Sequence, residues 1–301
     1  MRNESLRAAV AIDAEAPSMA VGLSGFAGSR WSVGSILFWS GLAVALLFLA
    51  SALLAERLAP FDPLAVDYSS RLKAPSVKHL LGTDEHGRDM LSRLILGARI
   101  SMAVSAGAVG LATIVGLLLG LTAGYFGGVW DGIVSRVMDG LFAFPSILLA
   151  ILLMALVGPG VTSVTLAIGI VSIPVATRVS RGAIIAEKAN DHVEASRALG
   201  SSHAYIIFRC LVPNAVGPLL VLVSLSLAQA LLAEAALSFL GLGASPPTPS
   251  WGSMLSTGRR YLADAPWYTL FPGTCIFLLV LCINLIGEGI RDRMDPRRSE
   301  R

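Results

Sequence analysis

The sequence predicts an all-α, polytopic membrane protein with six crossing helices, and three observations carry that reading. Of 301 residues, 54% are hydrophobic and 14% charged, little more than half the charged share of a soluble domain. The mean hydropathy is +0.72. Apolar runs recur along the chain at close to the roughly 20 residues that a crossing helix needs. A soluble globule, a disordered chain and a coiled coil are excluded. The net charge of +3 is spread over basic residues beside apolar spans, so no nucleic acid partner is indicated and the lipid bilayer is.

In chain order, residues 1–34 are Ala/Ser/Gly-rich without periodicity and read as a mobile tail. The run Ser35–Ala55 reads as an uncleaved first span, because Ala50-Ser51-Ala52 lies inside the run where a cleavage box would follow it. Five further spans are placed at Ser101–Tyr125, Val137–Val157, Val161–Val179, Asn214–Leu237 and Thr269–Ile286. Polar stretches Glu56–Arg99, Arg181–Arg209 and Gly241–Trp267 separate spans one and two, four and five, and five and six. With both termini cytoplasmic, fourteen basic residues fall inside and nine outside, the expected bias. Cys210, Cys275 and Cys282 make no disulfide framework and read as packing residues.

Within these spans, Gly116, Gly120 and Gly124 form two consecutive G-x-x-x-G repeats on one helix face. Such a face packs closely either inside the chain or against a second subunit. Pro145, Pro174 and Pro218 sit inside spans three to five and favour kinks. Asp139 with Arg136 reads as an edge pair, and Arg178 and Arg181 as residues reaching toward the membrane surface.

The segment 190–213 reads as a short helix, a glycine turn and a second helix entering the membrane. Asp191 with Glu194 has capping-box spacing, Gly200 suits a left-handed C′ position, and Ser201 or Ser202 can cap the next helix up to Pro213. Folded so, the loop is a compact knob.

Two polar groups are weighed for chemistry. His79, Asp84, His86 and Asp89 offer oxygen and nitrogen donors, yet their spacing matches no established ligand pattern, so no metal is assigned. The preferred reading turns the chain at Gly82 and Gly87 and pairs Asp84, Arg88 and Asp89 to pin the loop at the membrane face. Glu234 is the ionisable residue nearest the interior of a span. With Ser226 and Gln229 it is a candidate for the substrate path; the preferred alternative leaves it hydrogen-bonded within the following loop. The Gly22-Leu23-Ser24-Gly25 run mimics an intramembrane protease motif but lies in the polar tail. No H-E-x-x-H is present, and none of Lys73, Lys78 and Lys188 follows a glycine, so no Walker A loop exists. No cofactor is expected, and the chain is not read as an enzyme. Energy for uphill transport comes from a partner or, in the alternative class of gradient-driven carriers and channels, from an ion gradient or none.

The stretch Glu194-Ala195-Ser196, Gly200, Val212-Pro213 resembles the E-A-A…G…I-x-L-P loop of ABC importer permeases. Ser196, Cys210 and Val212 stand where that loop usually has Ala, Ile and Leu, mild changes in size and polarity. Residues Gly82-Thr83-Asp84 through Arg88-Asp89 to Ser92-Arg93 resemble the signature of the C-type subunit of dipeptide, oligopeptide and nickel permeases. Phe142–Pro145, Ala233–Gly243, Pro246–Gly252 and the ending Gly287–Arg297 extend the resemblance over about residues 35–298.

The resemblance implies a type I ABC importer fold. The expected organisation is a tail at 1–34, a first helix and external loop at 35–99, a permease core at 100–290 with a coupling loop at 188–212, and a C-terminal tail at 291–301. Glu194, Ala195, Ser196, Arg197, Ala198, Leu199 and Gly200 would dock on the ATPase. Partners would be a B-type permease, two ATP-binding subunits and an external solute-binding protein, in the inner membrane. Short peptides are the expected cargo, with nickel, opine, glutathione or oligosaccharide as alternatives.

Overall fold

A computed structural model describes residues 33–294. Nearly all of the 1–34 tail, its Gly22–Gly25 run and the end beyond Met294 therefore lie outside the described residues.

Among the described residues the fold is helical, with a single isolated bridge, Thr83 to Asp89. Helix α1 is Val33–Leu53 and α2 is Met90–Phe126. α3, Gly128–Phe142, and α4, Ser146–Val157, form a pair bent by 90°. α5 is Val161–Lys188 and α6 is Asp191–Ala198. α7 runs His203–Phe239 with a π-helical stretch at Ile206–Leu211. α8 is Trp251–Gly258 and α9 is Trp267–Met294. Helices α1, α2, α5, α7 and α9 are each long and apolar enough to cross a membrane, five spans, or six if the bent pair α3–α4 is counted as one.

Two expectations are corrected. The second span begins at Met90 rather than Ser101, because Asp89 caps it: its Oδ2 accepts from Ser92 N–H at 2.8 Å. Arg93 and Arg99 are thus helical. The third span is not one kinked helix. Pro145 has no N–H to continue α3, so the chain breaks at Ala143–Pro145 and α4 restarts at a right angle. Helices α5 and α7 do run through Pro174 and Pro218, and α9 through Pro272, a proline the sequence reading passed over.

The glycine stripe packs inside the chain. A Cβ on Gly116 would meet Ala176 Cβ at 2.5 Å, and one on Gly120 would meet the Thr177 carbonyl at 2.6 Å. Helices α2 and α5 therefore touch backbone to backbone, which only a small residue permits.

On the face away from α6, the polar segment before α2 and the short helix α8 form a cap. Trp251 is fully buried; its indole N–H donates to the Leu94 carbonyl at 3.0 Å and its ring meets Phe48 edge-on. Gly82 and Gly87 do take positive φ, as the turn reading requires. Asp84, fully buried, accepts from the Arg88 side chain at 2.6 Å and pairs with Arg93 at 3.2 Å. Asp89 does not join Arg88 as expected. It caps α2 and binds His79 Nδ1 at 2.9 Å. Glu85 accepts from the Tyr268 hydroxyl, tying this segment to α9.

Candidate functional site

Two features stand out: a chamber among the spans and a knob on one face.

The knob is α6 and the turn after it. Gly200, at φ +76°, ends the helix. Its N–H donates to the Arg197 carbonyl at 3.0 Å, and the Ser201 N–H donates to the Ser196 carbonyl at 3.1 Å. Those two bonds are the Schellman pattern, which satisfies the last carbonyls of the helix. Ser202 caps α7 by accepting from Tyr205 N–H at 3.3 Å. The N-terminal expectation is corrected: Asn190 is the capping residue, no side chain accepts there, and Asp191 lies inside the first turn. Asp191 and Glu194 still favour that end of the helix dipole.

Of the seven residues expected to dock, Glu194, Ala195, Arg197, Ala198, Leu199 and Gly200 are exposed, Leu199 at 86%. Ser196 is half-buried; its hydroxyl donates to the His192 carbonyl and lies 3.8 Å from Cys210 Sγ. Val193 supplies the anchor. It is buried in an apolar cluster with Tyr125, Ile184, Ile206 and Leu211. Polar contacts add to it. The Tyr125 hydroxyl and His203 Nδ1 are 2.6 Å apart, Lys188 Nζ donates to the Tyr125 carbonyl at 2.6 Å, and Asn214 donates to Glu187 at 2.7 Å. The knob is thereby fixed to the ends of α2, α5 and α7.

The chamber is a cavity of about 300 Å³ among α3, α4, α5 and α7. Ser146, Ser172, Ser226 and Gln229 supply its polar atoms, and Phe142, Phe144 and Pro174 are among its apolar walls. No charged side chain lines it. Two of the three expected path residues, Ser226 and Gln229, are there. Glu234 is not: it faces the cap, 1% exposed, with Oε1 accepting from the Ser238 hydroxyl at 2.7 Å and Ser101 and Ser250 beside it. Five residues separate Gln229 from Glu234, more than one turn, so the carboxylate is carried round to the α2 and α8 side.

The sequence reading missed the ion pairs behind the chamber. Arg178 binds Asp139 at 2.6 Å, in place of the expected Asp139–Arg136 pair. Arg181 forms a two-point pair with Asp131. Neither arginine merely reaches for the surface. The spacing held a signal: Asp131, Ser135 and Asp139 recur every fourth residue, opposite two arginines three apart.

An uncharged chamber among α3, α4, α5 and α7, with the knob joined to the chamber-lining helix α7, is an arrangement suited to a membrane permease. Over residues 116–300 the chain matches the family described as binding-protein-dependent transport system inner membrane component, and it belongs to that family. It is a multi-pass inner-membrane permease component of the ABC importer class. It is 43% identical to the di/tripeptide transport system permease protein DppC of Pseudomonas aeruginosa, over 90% of each chain. It is 42% identical to the glutathione transport system permease protein GsiD of Pectobacterium atrosepticum, over 86% of each. In fold it is similar to the methionine ABC transporter MetNI in an inward-facing form, with a TM-score of 0.54 at 21% identity, covering 68% of this chain and 98% of that one. An amino acid ABC transporter gives 0.53 at 17% identity, over 68% and 93%.

Proposed function

We propose that this chain is one of two permease subunits of an ATP-driven importer of di- and oligopeptides. One observation carries the mechanism. Helix α7 begins in the anchored knob and continues without a break to Ser226 and Gln229 in the chamber. A displacement applied to α6 is therefore delivered along a single helix to the chamber wall.

In this reading the α6 face is cytoplasmic, and so are both termini. Glu194–Gly200 docks on one of two ATP-binding subunits, with exposed Leu199 as its apolar contact. A B-type permease completes the path, and an external solute-binding protein delivers cargo to the cap face. Closure of the ATP-binding subunits on ATP moves the knob and shifts the permease pair between two states. The chamber's hydroxyls and amide can hydrogen-bond a peptide backbone, while its lack of charge leaves side chains unselected. The name of the di/tripeptide relative points the same way. The glutathione relatives support a second reading, in which the cargo is that one tripeptide.

The test is uptake of labelled di- and tripeptides, glutathione and nickel into cells deleted for this gene, with and without the restored chain. Restored dipeptide uptake that stops on ATP depletion is the expected result. Restoration of glutathione alone selects the second reading, and restoration of nickel alone overturns both.

A further inference from the structure

Resting on the permease reading, we propose that the elbow between α3 and α4 is the inner gate of the path, that Phe142 is its plug, and that Arg178 holds the plug shut from Asp139.

Helix α5 runs from the cap side at Val161 to the knob side at Lys188, and two cavities lie along it. The first is the chamber, which meets α5 between Ile168 and Val175. The second, about 420 Å³, meets α5 at Thr177, Arg178 and Arg181 and α3 at Ser135 and Asp139. The chamber therefore lies on the cap side and the second cavity on the knob side. Between them is the elbow: Leu141, Phe142 and Phe144 line the chamber, while Met138 and Asp139, one turn back, line the other cavity.

The same residues are clamped from α5. The Arg178 guanidinium lies 4.0 Å from the centre of the Phe142 ring and binds Asp139 at 2.6 Å. One cation therefore holds both the plug and the turn that carries it. The Arg181–Asp131 pair anchors the base of α3. At the elbow, Ala143–Pro145 interrupts the helix, so α3 can turn without carrying α4 with it. A bend held shut by one cation and free to pivot at a proline has the parts of a gate. The two cavities differ as the sides of a gate would. The chamber is uncharged, and the far cavity presents Asp139, Arg178 and Arg181, groups that can take over the ends of a zwitterionic peptide as the clamp opens.

The experiment uses the complete transporter, with its partner permease, ATP-binding subunits and binding protein, in liposomes loaded with labelled dipeptide and held without ATP. Phe142→Ala and Arg178→Ala are expected to raise efflux at least tenfold, and Phe142→Leu, which keeps the bulk, to leave it low. Exchanging the charges with Asp139→Arg and Arg178→Asp together is expected to restore tightness lost in either single variant, a rescue that general loosening would not give. The Asp139→Cys and Arg178→Cys double variant, joined by a short thiol crosslinker, is expected to stop import while ATP hydrolysis continues. Wild-type efflux from Phe142→Ala together with undiminished import by the crosslinked protein would overturn the gate. A wild-type complex that imports no dipeptide with ATP would overturn the permease reading instead.

Discussion

The hydroxyl of Tyr125, at the end of α2, lies 2.6 Å from Nδ1 of His203, at the start of α7. The contact joins the helix that holds the glycine stripe to the helix that reaches the chamber, directly beside the knob. Tyr125→Phe keeps the ring in its apolar cluster and removes about 1 kcal/mol of net hydrogen bonding. The fold should persist, and peptide imported per ATP hydrolysed should fall several-fold. Import and hydrolysis measured together on the reconstituted complex check this.

Apart from its chain neighbours, no atom lies within 4 Å of a Cβ built on Gly200, so its constraint is backbone conformation alone. A valine at +76° costs about 1–2 kcal/mol, whereas asparagine visits that region readily. Gly200→Val should uncouple ATP hydrolysis from uptake and Gly200→Asn should not. Equal uptake by the two variants would show that the turn is not part of the coupling.

Gly120→Leu tests the α2–α5 contact. Its Cβ alone would fall 2.6 Å from the Thr177 carbonyl and 2.7 Å from the Arg181 N. Backbone on both sides leaves little room to relax, so the cost lies at or above the upper end of the roughly 1–3 kcal/mol typical of overpacking. A lower yield of folded chain and a lower thermal midpoint are expected. Gly132→Ala, in the interior of α3 with open space around it, should lower neither and should raise the midpoint slightly.

Glu234 separates ATP-driven import from proton coupling. It is buried against Ser238 and does not line the chamber, which favours a structural role. Glu234→Gln keeps an acceptor for the Ser238 hydroxyl and should retain uptake. Glu234→Ala leaves a cavity under the cap and should lower stability by about 2 kcal/mol or more. Loss of uptake in the glutamine variant with folding intact would give the carboxylate a role in transport.

Glu85 gives a pH dependence. Burial raises its carboxyl pKa, but the hydrogen bond from Tyr268 and the charges of Arg88 and His86 outweigh this, so the group lies below its ordinary value of 4.5. A depressed carboxyl stabilises the folded form fully above the ordinary value, and that contribution is lost as pH falls through the folded value. The cap should therefore loosen in acid below pH 4.5. Trp267, whose indole N–H points to the Thr83 carbonyl at 3.4 Å, reports on it by fluorescence in a variant with the other tryptophans replaced. In Tyr268→Phe, which removes the main hydrogen bond holding the carboxyl down, the acid-linked loss should shrink.

Much of this was legible in the sequence. Hydropathy places the crossings, and Gly200 with Ser202 marks the knob's turns because left-handed glycine and N-cap serine are local requirements. What was not legible depends on distance along the chain. Asp139 pairs with Arg178 rather than with Arg136 three residues away, because the elbow turns α3 against α5. The break at Pro145 reads as a kink until the two arms are seen at right angles. The side of α7 that carries Glu234 is set by α8, whose Trp251 fills the space between α2 and α7.

In the proposed function, ATP hydrolysed by partner subunits moves peptide through this chain by way of the knob. Its most direct measurement is dipeptide accumulation by the purified complex in sealed liposomes, with ATP and an imposed proton gradient varied independently. The account predicts accumulation that needs ATP, ignores the gradient and disappears in Gly200→Val while hydrolysis continues. Accumulation that follows the gradient without ATP would contradict it.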